Sequence, residues 1–160
     1  MKYFAYGSNM NEEDVERWCR KESRELIELR SPKVAILQDY ALAWNYYSAT
    51  RKGGAANIIA SPGSHVEGIL FELSEDHFDL IALKEGSPNY YRPLKVKVKL
   101  RDGGTIDRVV TYSVREELLR RTFVPPSRDY LKIVIEGAQT HGLSSDWIEK
   151  LRAIQTSDSL

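Results

Sequence analysis

The sequence predicts an α+β fold, and three observations support this prediction. Six segments have the composition and alternation of β-strands, and four others have the caps and apolar spacing of helices. The predicted strands alternate between apolar and polar residues, which is typical of an antiparallel or mixed sheet with one solvent-exposed face. At 160 residues without a linker-like segment, the chain is expected to form a single domain over residues 1–160.

The first third of the chain begins with a strand and a helix. Residues 2–6 are rich in aromatic side chains and form a short predicted strand, which Gly7–Asn9 ends in a turn. Asn11 is the expected cap of a helix, because it precedes three acidic residues that the positive end of a helix dipole favours. Cys19 lies on the apolar stripe of this helix and is interpreted as a packing residue. Residues 34–44 have the pattern of a second strand.

The central segment is predicted to contain two strands and a helix. Residues 57–60 and 66–73 have strand-like patterns on either side of a Ser-Pro-Gly-Ser turn. Ser74 is the expected cap of a helix that runs to about Glu85. Gly86 follows this helix at the position where terminating glycines are common.

The last third is predicted to contain a hairpin and two helices. Residues 91–100 alternate between basic and aliphatic side chains, and an Asp-Gly-Gly turn leads to the strand over 107–114. Pro125–Ser127 opens the third helix of the chain. The final helix is capped by one of two serines, Ser144 or Ser145.

Charge and cysteine content exclude several classes of function. The chain has 23 basic and 23 acidic residues, and this balance argues against nucleic acid, whose phosphates require a basic surface. No stretch approaches the roughly 20 apolar residues of a spanning helix, so no membrane partner is expected. The single cysteine excludes an intrachain disulfide and a multi-cysteine metal site. The three histidines lack metal-ligand spacing, and the N-terminus lacks a signal-peptide pattern, so we expect no metal and a cytoplasmic location.

Glu85 is a candidate catalytic residue because of its position on the predicted helix. It shares an apolar stripe with Phe78, Ile81 and Ala82, whereas Lys84 is expected to point elsewhere. Burial and the negative end of the helix dipole should both raise the pKa of Glu85, which suits a general base or acid near neutral pH. A solvated glutamate at a frayed helix end is the alternative, and periodicity alone does not separate the two.

The turn Gly7–Asn9 joins a predicted strand to a predicted helix. Such a turn presents backbone N–H groups at a positive helix end, where an anion can bind. It lacks the second glycine and the lysine of a nucleotide-binding P-loop. A plain turn capped by Ser8, Asn9 or Asn11 explains the same residues, so this signal also remains open.

Several segments together resemble the gamma-glutamylcyclotransferase-like family. The N-terminal Tyr6-Gly7-Ser8-Asn9 is similar to the Tyr-Gly-Ser-Asn signature of that family, and Lys84-Glu85-Gly86 resembles the segment that carries its catalytic glutamate. Further similar segments, in the same order along the chain, are Leu37–Tyr40, Gly53–Ile58, Ser61–Gly63, Val66–Gly68 and Pro125–Ser127 with Tyr130. The part from Gly137 to Ile154 is also similar to the animal members, so the resemblance covers nearly the whole chain.

The resemblance implies a small mixed β-barrel of about six strands with helices packed outside. It implies an intramolecular aminolysis, in which the α-amine of a γ-glutamyl group attacks its own γ-carbonyl to form 5-oxoproline and release an amine. Glu85 would be the general base and acid, and no metal or cofactor would be required. The partner would be a small γ-glutamyl molecule, and the resemblance also allows a homodimer. The residues that would bind substrate are Tyr6, Gly7, Ser8, Asn9, Tyr91 and Tyr130.

Two charged segments depart from the family pattern, residues 20–31 and 115–121. Both are expected to shape the rim of a pocket and so to affect substrate identity more than the chemistry. A different γ-glutamyl compound is therefore one alternative substrate. A noncatalytic binding or interaction module with the same fold is the alternative of a different class.

Overall fold

A computed structural model describes residues 1–159 and shows, within them, a closed five-stranded β-barrel with four helices packed outside it. The α+β fold class is therefore confirmed. The strands are β1 (Lys2–Ala5), β2 (Arg30–Ala43), β3 (Tyr47–Ser48), β4 (Gly53–Gly54), β5 (Asn57–Glu72), β6 (Tyr91–Leu100) and β7 (Thr105–Val114). The short strands β3 and β4 pair only with each other and lie outside the barrel.

The barrel has the strand order β1-β5-β2-β6-β7, and β7 returns to β1 to close it. The closing pair is parallel and contains the register pair Tyr3 and Val110, whereas the other barrel pairs are antiparallel. The barrel is therefore mixed, as expected. Closure removes the exposed strand edges that an open sheet would leave.

The prediction of two separate strands at 57–60 and 66–73 was wrong, because β5 runs through both. The turn residues 61–64 form an irregularity within the ladder between β2 and β5. Asp39 of β2 accepts a hydrogen bond from the Gly63 N–H at 3.0 Å, and both residues have positive φ angles of +65° and +85°. Both flanks of the turn pair with the same long neighbour, so the extra residues bulge outward and pairing continues beyond them.

The four helices begin at the caps that the sequence predicts. Their bounds are α1 (Glu12–Lys21), α2 (Glu75–Lys84), α3 (Arg128–Thr140) and α4 (Ser145–Arg152). The side chains of the capping residues each accept a hydrogen bond from the N–H three residues later, and these residues are Asn11, Ser74, Ser127 and Ser144. Each cap thus satisfies one of the N–H groups that have no partner within the helix. No helix within residues 1–159 is long and apolar enough to cross a membrane.

The main core fills the barrel and the space between the barrel and the helices. Its fully buried members include Phe4, Val66, Phe71 and Val109 from the strands, and Ile81, Val134 and Leu151 from the helices. Cys19 is also fully buried, in agreement with its predicted packing role.

A 3₁₀ turn over Ser8–Met10 connects β1 to α1 and packs against α3 at Gly137. A side chain at Gly137 would place its Cβ only 2.8 Å from the Met10 carbonyl carbon, so α3 can lie against the turn only with glycine there. This contact holds the turn at the end of the barrel where β1 ends.

Candidate active site

A cavity opens at the end of the barrel next to the 3₁₀ turn. The structure brings every site residue selected from the sequence to its wall: Tyr6, Gly7, Ser8, Asn9, Glu85, Tyr91 and Tyr130. Tyr3, Ala56, Thr111 and Tyr112 line it as well, and sequence reasoning did not select them. Three of these four lie on barrel strands β1 and β7, and because Thr111 and Tyr112 are adjacent, strand alternation cannot select both of them.

Glu85 reaches the cavity because α2 ends immediately before it. Its backbone keeps helical dihedral angles, and its N–H donates to the Ile81 carbonyl at 2.9 Å. Gly86 then adopts a φ of +68°, the left-handed conformation that commonly ends a helix. The residue is half-buried, and its carboxylate is directed into the cavity, on the same side of the helix as the fully buried Ile81.

The Glu85 carboxylate is held by two neighbours from the N-terminal segment. Its Oε1 accepts a hydrogen bond from Asn9 Nδ2 at 2.7 Å and a long one from the Tyr3 hydroxyl at 3.4 Å. Asn9 Nδ2 also donates to the Tyr3 oxygen at 2.9 Å. Burial raises the pKa of Glu85, and the positive charge of Lys84 together with the Tyr3 hydrogen bond only partly opposes this effect. The carboxyl group therefore has a greater proton affinity than an ordinary glutamate.

Tyr91 and Tyr130 hold the backbone of Ala56 from two directions. Tyr91 donates its hydroxyl proton to the Ala56 carbonyl at 2.8 Å, and the Tyr130 oxygen accepts from the Ala56 N–H at 3.1 Å. Burial raises the pKa of both tyrosines, so they are neutral at physiological pH. Tyr130 therefore retains a hydroxyl proton that it does not give to Ala56, whereas Tyr91 has given its proton away.

Two glycines explain how Ala56 comes to lie beside Tyr130. Gly53 and Gly54 form β4 and pass close to the segment that leads into α3. The Gly54 N–H donates to the Pro125 carbonyl at 2.9 Å, and a Cβ on Gly53 would lie 2.9 Å from the Ser127 nitrogen. The backbone can approach this closely only without side chains.

A buried charge cluster lies behind Asn9, formed by Asp14, Arg51 and Lys84. Arg51 donates to both Asp14 carboxylate oxygens, at 3.0 and 2.7 Å, and Lys84 Nζ lies 3.3 Å from Asp14 Oδ2. Burial alone would raise the pKa of Asp14, but the hydrogen bonds from Arg51 and the charge of Lys84 lower it to about 2. Arg51 also packs over the Tyr130 ring at 5.2 Å.

The expectation that Lys84 points away from the site was wrong. Only 7% of its side chain is exposed, and its Nζ donates to Asn9 Oδ1 at 2.6 Å. The backbone position is off the apolar stripe, as expected, but four methylenes allow the ammonium group to curl back into the site. Sequence reasoning also missed Asp14 and Arg51, since an acidic first turn and a polar loop have ordinary local explanations.

The cavity opens into a wider groove between α1 and the β3–β4 segment. Lys21 and Glu22, from one of the two charged segments that depart from the family pattern, line this groove. Arg120, from the other, donates its N–H to the Asn45 carbonyl at 2.7 Å and stacks on Tyr47 at 5.0 Å.

Within residues 1–159, no three His, Cys, Asp or Glu side chains lie close enough together to coordinate a metal ion. His77 accepts a hydrogen bond from the Glu28 N–H at 3.0 Å, and His141 lies 3.5 Å from Glu12. The groups in the cavity are instead those of proton transfer and hydrogen bonding.

Comparisons with known proteins agree with this geometry. The model of the AIG2-like family matches residues 65–151. Gamma-glutamylcyclotransferase of Homo sapiens is 33% identical over 98% of this chain and 79% of the human protein, and that of Bos taurus is 31% identical over the same shares. A solved gamma-glutamyl cyclotransferase structure superposes with a TM-score of 0.81 at 30% identity, covering 99% of this chain and 89% of the other. The chain therefore belongs to the gamma-glutamylcyclotransferase-like enzymes of the AIG2-like family.

Proposed function

We propose that this protein converts a γ-glutamyl amino acid or amine into 5-oxoproline and a free amine. The observation that carries the proposal is the Glu85 carboxylate, which lies in a cavity, has a raised pKa and is held by Asn9 Nδ2 at 2.7 Å. A carboxylate of raised proton affinity can exchange a proton with an amine near neutral pH.

The reaction needs one proton acceptor that later becomes a donor. The α-amine of the substrate is mostly ammonium at neutral pH, and Glu85 accepts a proton so that the nitrogen can attack the γ-carbonyl carbon. Glu85 releases this first proton to solvent, and the new C–N bond closes the five-membered ring. Glu85 then takes the second proton from the ring nitrogen and delivers it to the leaving nitrogen as the old C–N bond breaks. The nucleophile and the electrophile belong to one molecule, so ring closure benefits from proximity.

The 3₁₀ turn supplies the anion-binding groups of this proposal. The first N–H groups of a helical turn have no partner within the turn, and Gly7, Ser8 and Asn9 line the cavity there. They would bind the substrate carboxylate or the oxyanion of the tetrahedral intermediate. Loss of one donor from such a hole typically costs on the order of 3 kcal/mol of transition-state stabilisation.

The two tyrosines would have different roles. Tyr130 retains its proton and can donate it to the substrate, whereas Tyr91 gives its proton to Ala56 and can only accept. The γ-glutamyl group would occupy the cavity, and the leaving amine would face the groove. We place the reaction in the cytoplasm, because a chain with a single cysteine has no intrachain disulfide of the kind common in oxidising compartments.

The proposal is tested by incubating the protein with a panel of γ-glutamyl amino acids and γ-glutamyl amines. We expect 5-oxoproline to appear in proportion to enzyme and time with at least one of them. Binding of several panel members without any 5-oxoproline would favour the noncatalytic binding module instead.

Glu85→Gln is expected to lower kcat by 10²-fold to 10⁴-fold, the usual contribution of general acid–base catalysis. Glutamine keeps the size of the side chain and an oxygen for Asn9, so ligand binding should persist. Wild-type kcat/KM should rise with pH through the raised pKa of Glu85, because only the ionised carboxylate accepts a proton.

The matched control is Glu28→Gln, which changes an exposed glutamate and should leave the rate unchanged. Near-normal turnover by a folded Glu85→Gln protein would refute the assigned role. A rate that is flat from mildly acidic to neutral pH would also count against it.

A further inference from the structure

We infer that Lys84 is a positioning residue for Glu85: its ammonium group holds the Asn9 amide in the one orientation that donates a hydrogen bond to the Glu85 carboxylate. The inference rests on the proposed role of Glu85 in proton transfer. Lys84, the neighbour of Glu85 in sequence, would thus act in the same cavity.

The two ends of the Asn9 amide have opposite hydrogen-bonding roles. An asparagine amide has a donor end and an acceptor end of nearly the same shape, and a half-turn exchanges them. In one orientation Asn9 donates to Glu85 Oε1 at 2.7 Å. In the other, its oxygen would face the carboxylate oxygen at the same distance and repel it. The carboxylate therefore favours the first orientation, and a neighbour that only donates at the other end of the amide would fix it.

Lys84 is the neighbour that can make this selection. Its Nζ lies 2.6 Å from Asn9 Oδ1, and an ammonium group has three donors and no acceptor. A flipped amide would direct its N–H groups at these donors and lose the bond. Tyr3, which receives the second Asn9 hydrogen bond at 2.9 Å, could both donate and accept and so selects neither orientation.

Lys84 is itself held in place by Asp14. Its Nζ lies 3.3 Å from Asp14 Oδ2, and the two side chains are only 7% and 4% exposed. Burial lowers the pKa of Lys84, but the neighbouring Asp14 carboxylate opposes this effect and favours the ammonium form. Arg51 binds both oxygens of Asp14, so the carboxylate has a partner even when Lys84 is replaced.

The groups that face Glu85 come from every element around it. The charged ones are Lys84 of α2 and Arg51 of the β3–β4 loop, and Asp14 of α1 binds both of these cations. The others are five tyrosines whose burial raises their pKa and keeps them neutral: Tyr3, Tyr6, Tyr91, Tyr112 and Tyr130. Lys84 is the nearest cation in this set to Asn9. Its removal therefore takes away both the selected amide orientation and a charge that favours ionised Glu85.

The test compares Lys84→Met, which removes the donor and the charge, with Lys84→Arg, which keeps both. The control is Lys95→Met, which alters an exposed lysine on the barrel. In Lys84→Met we expect the Glu85 carboxyl to titrate at a higher pH, and the rise of kcat/KM to move to higher pH with it. Lys84→Arg and Lys95→Met should titrate as the wild type does.

Two NMR measurements follow Glu85 and Asn9 directly, and neither requires the enzyme to turn over a substrate. The ¹³C shift of the Glu85 carboxyl, assigned from its absence in Glu85→Gln, gives the titration midpoint. The ¹⁵N–¹H signals of the Asn9 side chain show whether the amide still donates to the carboxylate. We expect these signals to lose their hydrogen-bonded shifts in Lys84→Met.

Unchanged Asn9 signals in Lys84→Met would overturn the inference, even if the Glu85 midpoint moves or the enzyme makes 5-oxoproline, because loss of the Lys84 charge by itself raises the pKa of Glu85. Should Lys84→Met fail to fold, Lys84→Gln removes the charge and replaces a pure donor by an amide that can donate or accept, and its Asn9 signals must still lose their hydrogen-bonded shifts. A wild-type protein that makes no 5-oxoproline would contradict the proposed function and leave the Asn9 signals decisive for Lys84.

Discussion

Asp14→Asn provides a quantitative test of the buried charge cluster. The Asp14 side chain is 4% exposed and accepts hydrogen bonds from Arg51 at 2.7 and 3.0 Å and from Lys84 at 3.3 Å. Burial alone would raise the pKa of Asp14, but these partners lower it from 3.8 to about 2. A tenfold change in proton affinity corresponds to about 1.4 kcal/mol, so ionised Asp14 stabilises the fold by about 2 kcal/mol at neutral pH.

Asparagine keeps the shape of Asp14 and removes its charge. We expect Asp14→Asn to lower the free energy of unfolding at pH 7 by at least about 2 kcal/mol, because Lys84 and Arg51 then face a neutral amide. At 2–4 °C per kcal/mol for a domain of this size, the melting temperature should fall by roughly 4–8 °C. Urea unfolding at pH 7 measures the first quantity, and calorimetry measures the second.

The contribution of Asp14 to the free energy of unfolding should decrease as the pH falls. The folded pKa of Asp14 is lower than its unfolded value, so its stabilisation is complete above about pH 4 and is lost as the pH falls toward 2. The wild-type and Asp14→Asn unfolding free energies should therefore converge between these values. A difference that stays constant from pH 7 to pH 2.5, or no difference at pH 7, would refute the reasoning.

The control is Asp107→Asn, which breaks an exposed ion pair. Asp107 lies 3.4 Å from Lys97, and both side chains are about two-thirds exposed. Solvent screens such a pair, so the substitution should change stability by less than about 1 kcal/mol.

Two further substitutions test the packing around the cavity. Tyr130→Phe should lower the free energy of unfolding by about 1–3 kcal/mol, because it leaves the buried Ala56 N–H without its acceptor. The same change at exposed Tyr90 should have no effect, and equal stabilities of the two variants would contradict this reasoning. Gly137→Ala should lower kcat/KM, because its Cβ would press on the Met10 carbonyl carbon and displace the turn that carries Asn9. Unchanged kinetics in Gly137→Ala would show that the turn tolerates the displacement.

The predicted helices and caps agree with the structure because they depend on near neighbours. Each cap bonds to an N–H only three residues later, so a short window of sequence contains both partners. Helical spacing is also local, and it correctly predicted that Glu85 lies at the end of a helix on the same side as buried Ile81. The division of β5 into two strands failed because Ser61–Ser64 has turn chemistry, and only the pairing with β2 carries the strand past it.

By itself, the sequence determined the fold class, the positions of the helices and seven of the residues that meet in the cavity, several of them through the family resemblance. The placement of the charges around Glu85 was decided only by the tertiary structure. Asp14 is 37 residues from Arg51 and 70 from Lys84, and each has an ordinary local explanation as a helix-start acid, a loop arginine or an off-stripe lysine. Barrel closure and helix packing bring them together and exclude water, and only there does their charge act on Asn9 and Glu85.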